Sequence, residues 1–355
     1  MNCKQVNYGF NDGRYRMFPP VIQIALVSGI CPSACSYCPM GMKNKGELPD
    51  GSIDELPEKF FDFDLFRKIS DEIAQYPYAM LRIHSRGEPM CHPRYAEMIT
   101  YAKKTGVSAV TSFTNGIYLK KYVNELLDAP IDLLEVSADA ADENRYQEWR
   151  RNPYFSDVVE GVRIFVKERN KRKNPRTRCV VSAVDHPAFR PHKSEFIAFW
   201  EPLCDKVIVR PFHTYAGRIA NPYNAGRIAN PYNAERIANP YNNDSNAKNS
   251  IASEGHIPCV QLWERFSISP DGLVNACFND WGDFDTVGDL RQENASIAGI
   301  WKNDIFAGIR EASLRAPTLN CCKNCSGPSL SSWGKEGYQH WVRELLDKRI
   351  DTEGV

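Results

Sequence analysis

Three cysteines lie within eight residues near the start of the chain. Cys31, Cys35 and Cys38 stand in the segment "SGICPSACSYCPMGM", directly after the apolar run "VIQIALV". Thiolates at these short gaps can hold a cuboidal iron-sulfur cluster from one side. Three ligands leave one iron open, and an incomplete ligand shell keeps a position for a reactant. A zinc site with three protein ligands and a water is the alternative, but no histidine lies between these cysteines, so the spacing favours the cluster.

A second cysteine group lies near the carboxyl end of the chain. Two of its members flank a predicted β-hairpin and two form a pair with a two-residue gap, so the four can converge on one metal centre: Cys259, Cys277, Cys322 and Cys325. A fully ligated 4Fe-4S cluster and a zinc ion both accept four thiolates. Cys321 competes with Cys322, which we favour because it gives the two-residue gap. We expect the remaining cysteines to be buried thiols, namely Cys3, Cys91, Cys179 and Cys204.

The composition favours metal ligation over disulfides. The chain has twelve cysteines among 355 residues and no signal-peptide pattern, which indicates a reducing compartment. Lysine plus arginine equals aspartate plus glutamate at 44 each, so no net charge attracts nucleic acid or an anionic membrane. No apolar run approaches the roughly 18 residues of a membrane helix. We therefore expect a cytoplasmic protein with a small-molecule substrate, no nucleic-acid partner and no membrane association.

The scaffold that positions the first cysteines is predicted to be a parallel α/β fold. Short β-branched runs alternate with amphipathic stretches, including helices that begin near Asp64 and Tyr95, as in repeated strand-helix units. Six units close only part of an eight-stranded barrel, and the chemistry of such sheets lies at the carboxyl ends of the strands. The predicted strands are Val21 to Val27, Met80 to Ser85, Ala109 to Thr114, Leu133 to Ala138, Cys179 to Val184 and Lys206 to Arg210.

A tandem nonapeptide follows the predicted barrel. "AGRIANPYN", "AGRIANPYN" and "AERIANPYN" span Ala216 to Asn242. Nine residues with an Asn-Pro break bury little against a neighbour, so we expect an expanded surface loop. A substrate-gating or contact loop is the alternative, since Arg218, Arg227 and Arg236 recur beside tyrosines.

The last part of the chain predicts a small cysteine-bearing domain. "RFSISPDGLVNACF" is typical of a hairpin around Asp271-Gly272, followed by a helix from about Ser296 to Glu311 and another near Gly337 to Lys348. The predicted division has five parts: an N-terminal extension (1–20), the barrel (21–215), the repeat loop and linker (216–255), the auxiliary domain (256–330) and a C-terminal helix (331–355).

The first cysteine motif resembles that of the radical S-adenosylmethionine (SAM) superfamily. The shared pattern is Cys31-x3-Cys35-x2-Cys38, with the aromatic Tyr37 before the last cysteine. The resemblance implies a partial (βα)6 barrel and a 4Fe-4S cluster whose open iron is chelated by the methionyl amine and carboxylate of SAM. It also implies reductive cleavage of SAM to a 5'-deoxyadenosyl radical that abstracts a substrate hydrogen. An electron donor such as flavodoxin or ferredoxin would supply the electron.

The segment "HSRGEP" is similar to the Gly-Gly-Glu motif that binds the methionyl amine in this superfamily. The resemblance assigns Gly87 and Glu88 to SAM, with Arg86 in place of the first glycine. The alternative is a plain turn between a strand and a helix.

Three further positions resemble SAM-binding parts of the superfamily. "SFTNG" and "EVSADA" place Asn115 and Ser137 in the adenosyl and ribose pocket, where uncharged polar groups suit hydroxyls; a plain left-handed turn is the alternative for Asn115. Arg150 stands where relatives place an arginine toward the SAM carboxylate. Its alternative is a solvated helix charge.

The second cysteine set resembles the auxiliary-cluster region of SPASM and Twitch enzymes. Its pattern is C-x12-G-x4-C from Cys259 to Cys277, followed by "CKNC". A full SPASM domain continues with three more cysteines and holds two clusters, but none follows Cys325 here. The single-cluster Twitch form therefore fits better. The auxiliary 4Fe-4S cluster would accept the electron left after hydrogen abstraction, or serve the fold.

These motifs together predict a radical SAM enzyme that oxidises or epimerises one carbon of a small polar metabolite, such as a sugar or cyclitol. No residue is assigned as the base. The main alternative is modification of a peptide or protein side chain; only about 20 residues precede the first strand, where peptide maturases often carry a leader-recognition domain, so we favour the small molecule. A zinc-stabilised binding module is the non-enzymatic alternative.

Overall fold

The structure, a computed structural model, describes residues 13–47, 57–129, 131–172, 177–215, 219, 258–283, 285–322 and 325. Its strands are β1 Val21–Ser28, β2 Lys59–Phe60, β3 Met80–Arg86, β4 Ala109–Thr114, β5 Leu133–Ser137, β6 Arg178–Asp185, β7 Lys206–Pro211, β8 Arg265–Ile268, β9 Leu273–Asn275 and β10 Thr286–Asp289. Its helices are α1 Gly13–Met17, α2 Pro39–Asn44, α3 Phe63–Ile73, α4 Tyr95–Lys104, α5 Leu119–Asp128, α6 Glu143–Arg150, α7 Phe155–Lys171, α8 Lys193–Trp200, α9 Gln261–Glu264, α10 Ile297–Trp301 and α11 Asp304–Ser313.

The strands form one sheet in the order β10-β9-β8-β1-β3-β4-β5-β6-β7, with β2 antiparallel to β1. The run from β1 through β3 to β7 is parallel, and its six strands match the predicted ones within one residue at each end. This open parallel sheet confirms the predicted α/β partial barrel.

Burial on both faces explains why these strands read as apolar runs. Strand β4 is buried at all six positions. The helices cover the outer face with one apolar stripe each, as in α3, which buries Phe66, Ile69 and Ile73. Asp62 caps α3 by accepting a 2.7 Å hydrogen bond from the backbone N–H of Leu65. After the end of α4, Gly106 adopts a φ of 98°, a left-handed conformation that commonly ends a helix.

The cysteine-bearing segment extends the barrel sheet directly. Strand β8 pairs in parallel with β1, from Val21 opposite Arg265 to Ile24 opposite Ile268. The predicted hairpin follows, with β9 antiparallel to β8 and Gly272 at a φ of 77° in the turn. Sequence patterns predicted this hairpin but not its addition to the barrel, because the pairing depends on tertiary contacts.

One predicted helix is wrong in its extent. The stretch from Ser296 to Glu311 forms two helices, α10 and α11, rather than one. Asn303 interrupts it: its side chain accepts from Phe306 N at 2.7 Å and donates to the Val287 carbonyl at 2.8 Å. A contact with β10 therefore starts a new helix where local propensity would continue the old one.

Several predictions fall on residues that the structure does not describe. The terminal helix near 337–348 and Cys3 lie outside the described residues, as does the repeat apart from Ile219, which is buried. Cys179 is buried, whereas Cys91 and Cys204 are half-buried. The five-part division of the chain stays a prediction. Among the described helices, none is long and apolar enough to cross a membrane.

Candidate active site

The loop that carries the first three cysteines is fixed by two helices. Its Ala34 and Ser36 N–H groups donate to the carbonyls of Arg150 (3.2 Å) and Trp149 (3.0 Å) at the end of α6. On the other side, a Cβ added to Gly41 of α2 would lie 2.2 Å from the Cys35 carbonyl oxygen. Only glycine permits this approach, so the loop wraps tightly around the first turn of α2.

The three thiols lie close enough to influence one another. Burial, followed by the charge of Cys35, raises the pKa of Cys38 to about 12. The same two causes raise the pKa of Cys31, to which Cys38 also contributes. Thiols held in this way ionise when a cationic metal centre supplies the opposing charge. The donor set therefore fits an iron-sulfur cluster.

A zinc ion and an iron-sulfur cluster place different geometric demands on three thiolates. In the part of the chain that the structure describes, no group of three or more His, Cys, Asp or Glu side chains is arranged to hold a metal ion. A zinc ion needs its sulfur donors about 2.3 Å from one point, whereas a cuboidal cluster binds each thiolate at a separate iron.

The Gly87-Glu88 segment at the end of β3 packs against the residue before Cys31. Glu88 N donates to the Ile30 carbonyl at 2.9 Å, and a Cβ on Gly87 would lie 2.4 Å from the same oxygen. A 3-10 turn, Pro89–Cys91, follows directly. The motif is thus a strand-to-turn junction that also contacts the cysteine loop.

The Glu88 carboxylate joins the ends of two strands. Its oxygens accept hydrogen bonds from Met90 N (3.0 Å), Thr114 Oγ1 (2.7 Å) and Asn115 N (2.7 Å). Burial raises the pKa of Glu88. The side chain is therefore positioned rigidly beside the cysteine loop, and its contact with a SAM amine stays a prediction.

Asn115 and Ser137 lie at the ends of neighbouring strands, as expected. Asn115 Nδ2 lies 3.8 Å from Cys31 Sγ and 3.5 Å from Ser33 Oγ. The left-handed residue of this turn is Gly116, with a φ of 80°, and Asn115 Oδ1 accepts from Ile117 N at 3.0 Å. The Ser137 carbonyl accepts a hydrogen bond from Arg150.

Arg150 is not the solvated helix charge of the alternative interpretation. The residue is 7% exposed, and its Nε lies 2.7 Å from Asp139 Oδ2. Its Nη1 donates to Cys35 Sγ at 3.3 Å. Burial alone would lower the pKa of Arg150, but Asp139 and Cys35 raise it well above its usual value. A permanent positive charge therefore lies against one cysteine of the trio.

Asp139 is a site residue that the sequence patterns missed. Its backbone is left-handed, with a φ of 61°, and it is buried. Its carboxylate pairs with Arg150 and accepts a hydrogen bond from Val184 N at 2.7 Å. Left-handed non-glycine residues cost about 1–3 kcal/mol and concentrate at functional sites. In the sequence, only its position two residues after Ser137 could have indicated that Asp139 lies at this site.

Residues from the C-terminal segment cover the side of Cys38. Trp281 packs with Met40, Cys38 and Tyr215, and its ring centroid lies 5.0 Å from that of Tyr215. Arg86 anchors the same segment by donating to the Trp281 carbonyl at 3.0 Å. The residue that departs from the Gly-Gly-Glu pattern thus connects the two cysteine-bearing parts of the chain.

The second cysteine group is also drawn together. The Cys321 thiol hydrogen-bonds to the sulfurs of Cys277 and Cys322; these bonds raise the pKa of Cys321 and lower that of Cys322 to about 6. Cys325 N donates to the Cys322 carbonyl at 3.3 Å. Burial lowers the pKa of Arg265, and the charges of Cys259 and Cys277 both oppose this by raising it. The structure places Cys321 among the predicted ligands, so the choice between Cys321 and Cys322 stays open.

A small cavity reaches from the barrel interior to Cys277. Gln23, His84 and Arg86 line it from the barrel, and Ser267, Cys277 and Trp281 line it from the C-terminal segment. Sequence reasoning missed these barrel residues. Polar side chains at every second position of "MLRIHSR" (80–86) could have indicated them, since residues two apart in a strand point to the same face of the sheet.

Two family models match the chain. The "Radical SAM superfamily" model matches residues 26–182, and the SPASM model, "Iron-sulfur cluster-binding domain", matches residues 259–326. The first range contains Cys31, Cys35 and Cys38, and the second contains the four cysteines of the second group and Cys321.

Named relatives match only part of the chain. A GTP 3',8-cyclase of Vibrio cholerae serotype O1 is 27% identical over 139 residues, which cover 38% of this chain and 39% of the relative. The tungsten-containing aldehyde ferredoxin oxidoreductase cofactor-modifying protein of Pyrococcus furiosus is 30% identical over 109 residues, 30% of this chain and 28% of that one. The chain therefore spans less than half the length of these relatives in each match.

Solved structures match over most of the chain. BtrN in complex with AdoMet and 2-DOIA superposes with a TM-score of 0.54 at 15% identity, covering 90% of this chain and 97% of that one. The structure of anSMEcpe with bound AdoMet gives 0.56 at 12% identity and 94% coverage of both. Streptococcus suis SuiB gives 0.58 at 17% identity, covering 83% and 68%. At these identities the matches show a shared fold.

Proposed function

Because the chain belongs to the radical SAM superfamily and carries a C-terminal SPASM-type iron-sulfur domain, we propose that it abstracts a hydrogen atom from a small polar metabolite and oxidises or epimerises it. One observation carries the proposal: the cavity reaches from the barrel interior to Cys277. Barrel strands and the C-terminal segment both line this cavity, and small-molecule sites occur preferentially where two such parts of a protein meet.

The residues that would hold the cofactors divide into three groups. Cys31, Cys35 and Cys38 would hold the first 4Fe-4S cluster. The second cluster would be held by the auxiliary set, Cys259, Cys277, Cys322 and Cys325. SAM would contact Tyr37, Gly87, Glu88, Asn115, Ser137 and Arg150. When bound, these groups supply a 5'-deoxyadenosyl radical for hydrogen abstraction and a second redox centre.

The protein's own contribution is charge, position and exclusion of water. Arg150 donates to Cys35 Sγ and is held in place by Asp139; hydrogen bonds to cluster sulfurs tune the reduction potential. Trp281 and Tyr215 pack over Cys38 and limit access of water to the centre. The barrel positions one substrate C–H bond, which is the larger part of what a protein adds to cofactor chemistry.

Anaerobic purification and reconstitution test this function. We expect about eight irons per chain, as two cuboidal clusters require, and formation of 5'-deoxyadenosine that depends on SAM and a reductant. Incubation with deuterated candidate metabolites should move deuterium into 5'-deoxyadenosine. A colourless protein with two zinc ions would overturn the proposal, and label transfer from peptides alone would show that the substrate is a side chain.

A further inference from the structure

Asp285 contacts both halves of the second cysteine group. The residue directly precedes strand β10. Its backbone carbonyl accepts a 3.1 Å hydrogen bond from the N–H of Ala276, the residue before Cys277. Its carboxylate accepts a hydrogen bond from the N–H of Cys321 at 3.0 Å. One residue therefore connects the hairpin that carries Cys277 to the loop that carries Cys321 and Cys322.

Both oxygens of the Asp285 carboxylate bind this loop. Oδ1 accepts from the backbone N–H and from the side-chain amide of Asn320, each at 3.0 Å, and Oδ2 accepts from Cys321 N. Three donors on one carboxylate match its ionised form, which only accepts hydrogen bonds. Hydrogen bonds to a charged group are about twice as strong as those between neutral groups. The 3-10 turn Asn320–Cys322 is therefore held in place by a residue outside the cysteine motif.

The loop after Cys277 fixes the backbone of Asp285 in turn. The N–H of Asp285 donates to Asp280 Oδ2 at 2.7 Å, and Asp280 N donates to the Cys277 carbonyl at 3.1 Å. Asn279 N donates to Cys277 Sγ at 3.4 Å. These hydrogen bonds hold the carboxylate at a fixed place relative to the Cys277 sulfur.

The charge of Asp285 also acts on the cysteine pair. The hydrogen bond with Cys321 lowers the pKa of Cys322, and the charge of Asp285 opposes this by raising it. The three groups that donate to the carboxylate are amides without a formal charge, so they leave its negative charge in place. Because net charge sets the potential of an iron-sulfur cluster, removing this carboxylate should make the potential of a bound cluster less negative.

We propose that Asp285 is the positioning residue of the auxiliary centre, the metal site of the second cysteine group, and holds the Cys321-Cys322 loop against the hairpin. The inference rests on the proposed function, because that function places a second cluster at these cysteines. Hydrogen bonds behind the ligands orient them and tune a metal centre. Asp285 lies 36 residues before the cysteine that it binds, so cysteine spacing could not indicate it.

Asp285→Ala and Asp285→Asn test the inference in anaerobically reconstituted protein. Alanine removes all three hydrogen bonds, and this variant should lose about four irons, those of one cluster. Asparagine keeps an acceptor oxygen for Asn320 and removes the charge, so the auxiliary cluster should bind with a less negative reduction potential. Iron and sulfide analysis measures the first effect. Redox titration followed by electron paramagnetic resonance measures the second, in the Cys35→Ala background, where the auxiliary cluster gives the only signal.

Asp289→Asn is the matched control for the loss of a carboxylate. Asp289 lies in β10 of the same segment, and its carboxylate binds Arg291. Its replacement should leave the iron content and the auxiliary potential unchanged.

Two results would overturn the inference. One is wild-type iron content and an unchanged auxiliary potential in both Asp285 variants. The other is an equal loss of iron from both centres, which would show an effect on the whole fold. Loss of the auxiliary iron alone from Asp285→Asn would support the same role, because it would show that the bond from Cys321 N is needed. Reductive SAM cleavage is measured in the same samples: wild-type protein without SAM cleavage contradicts the proposed function, whereas cleavage with an auxiliary centre insensitive to Asp285 contradicts this inference alone.

Discussion

Arg86 and Asp283 form a bidentate ion pair between the end of β3 and the loop before β10. Nη2 lies 2.6 Å from Oδ1 and Nη1 lies 3.0 Å from Oδ2. The same guanidinium donates to the carbonyls of Asp280 and Trp281. The side chains of Arg86 and Asp283 are 9% and 21% exposed. The pair explains why arginine stands two residues before Glu88, where the superfamily motif has glycine: it fastens the C-terminal segment to the barrel mouth.

Replacing Arg86 by glycine should therefore destabilise the protein rather than improve SAM binding. The substitution leaves the Asp283 carboxylate and two carbonyls without their donor, and breaking such a pair costs about 3 kcal/mol. Urea unfolding of anaerobic protein measures the free energy of unfolding. Arg94→Gln, which removes the exposed pair with Glu97, should cost below about 1 kcal/mol. Equal losses in both variants would contradict the anchoring role.

The strands could be predicted because the sequence pattern that forms each of them lies within the strand itself. Parallel strands that are buried on both faces consist of β-branched and other apolar residues, and the Asp271-Gly272 pair is typical of a hairpin turn. The break at Asn303 and the pairing of β8 with β1 were not predictable, since each depends on a partner distant in sequence.

The candidate site divides in a similar way. Cysteine spacing indicates which thiols converge, but the partners of Arg150 depend on the left-handed turn at Asp139. The three arginines that act on His84, namely Arg82, Arg210 and Arg265, could not be predicted as a group, because they lie in three different strands and only the tertiary fold brings them near one histidine.

Cys35→Ala should abolish SAM cleavage. Loss of one of three thiolates removes the cluster, and the variant should contain about four irons fewer than the wild type. Iron and sulfide analysis and chromatographic detection of 5'-deoxyadenosine measure both effects. Cys204→Ala, a half-buried thiol outside both groups, is the control. Turnover retained by Cys35→Ala would refute the assignment.

Alanine variants of the second group distinguish its ligands. Cys277→Ala should lose about four irons and end product formation while sparing some uncoupled SAM cleavage, because the first cysteine trio is intact. Of the adjacent pair, we expect Cys322→Ala to lose the same iron and Cys321→Ala to keep it. The reverse result would make Cys321 the ligand, in keeping with its contacts to Cys277 and Cys322. Unchanged product yield in Cys277→Ala would show that the auxiliary centre is dispensable.

Arg150→Met should shift the reduction potential of the first cluster to a more negative value. The substitution removes a positive charge and an N–H donor at 3.3 Å from Cys35 Sγ, and both favour the reduced cluster. Spectroscopic redox titration measures the shift, and SAM cleavage should slow at a fixed reductant potential. Arg151→Gln changes a neighbouring arginine that pairs with Glu47 on the surface and should leave the potential unchanged. An equal shift of the reduction potential in both variants would show that Arg150 has no specific effect on the cluster.

His84 should make the protein less stable as the pH falls below about 6.5. Burial and three arginines lower its folded-state pKa to about 3, whereas the unfolded chain takes up the proton near pH 6.5. The unfolded state thus binds more protons between these values, and wild-type protein should lose about 1.4 kcal/mol per pH unit more than His84→Gln. Urea unfolding at pH 7.5, 6.5 and 5.5 measures the difference in slope. Parallel curves for wild type and His84→Gln would show that burial and the charges of Arg82, Arg210 and Arg265 do not act on His84.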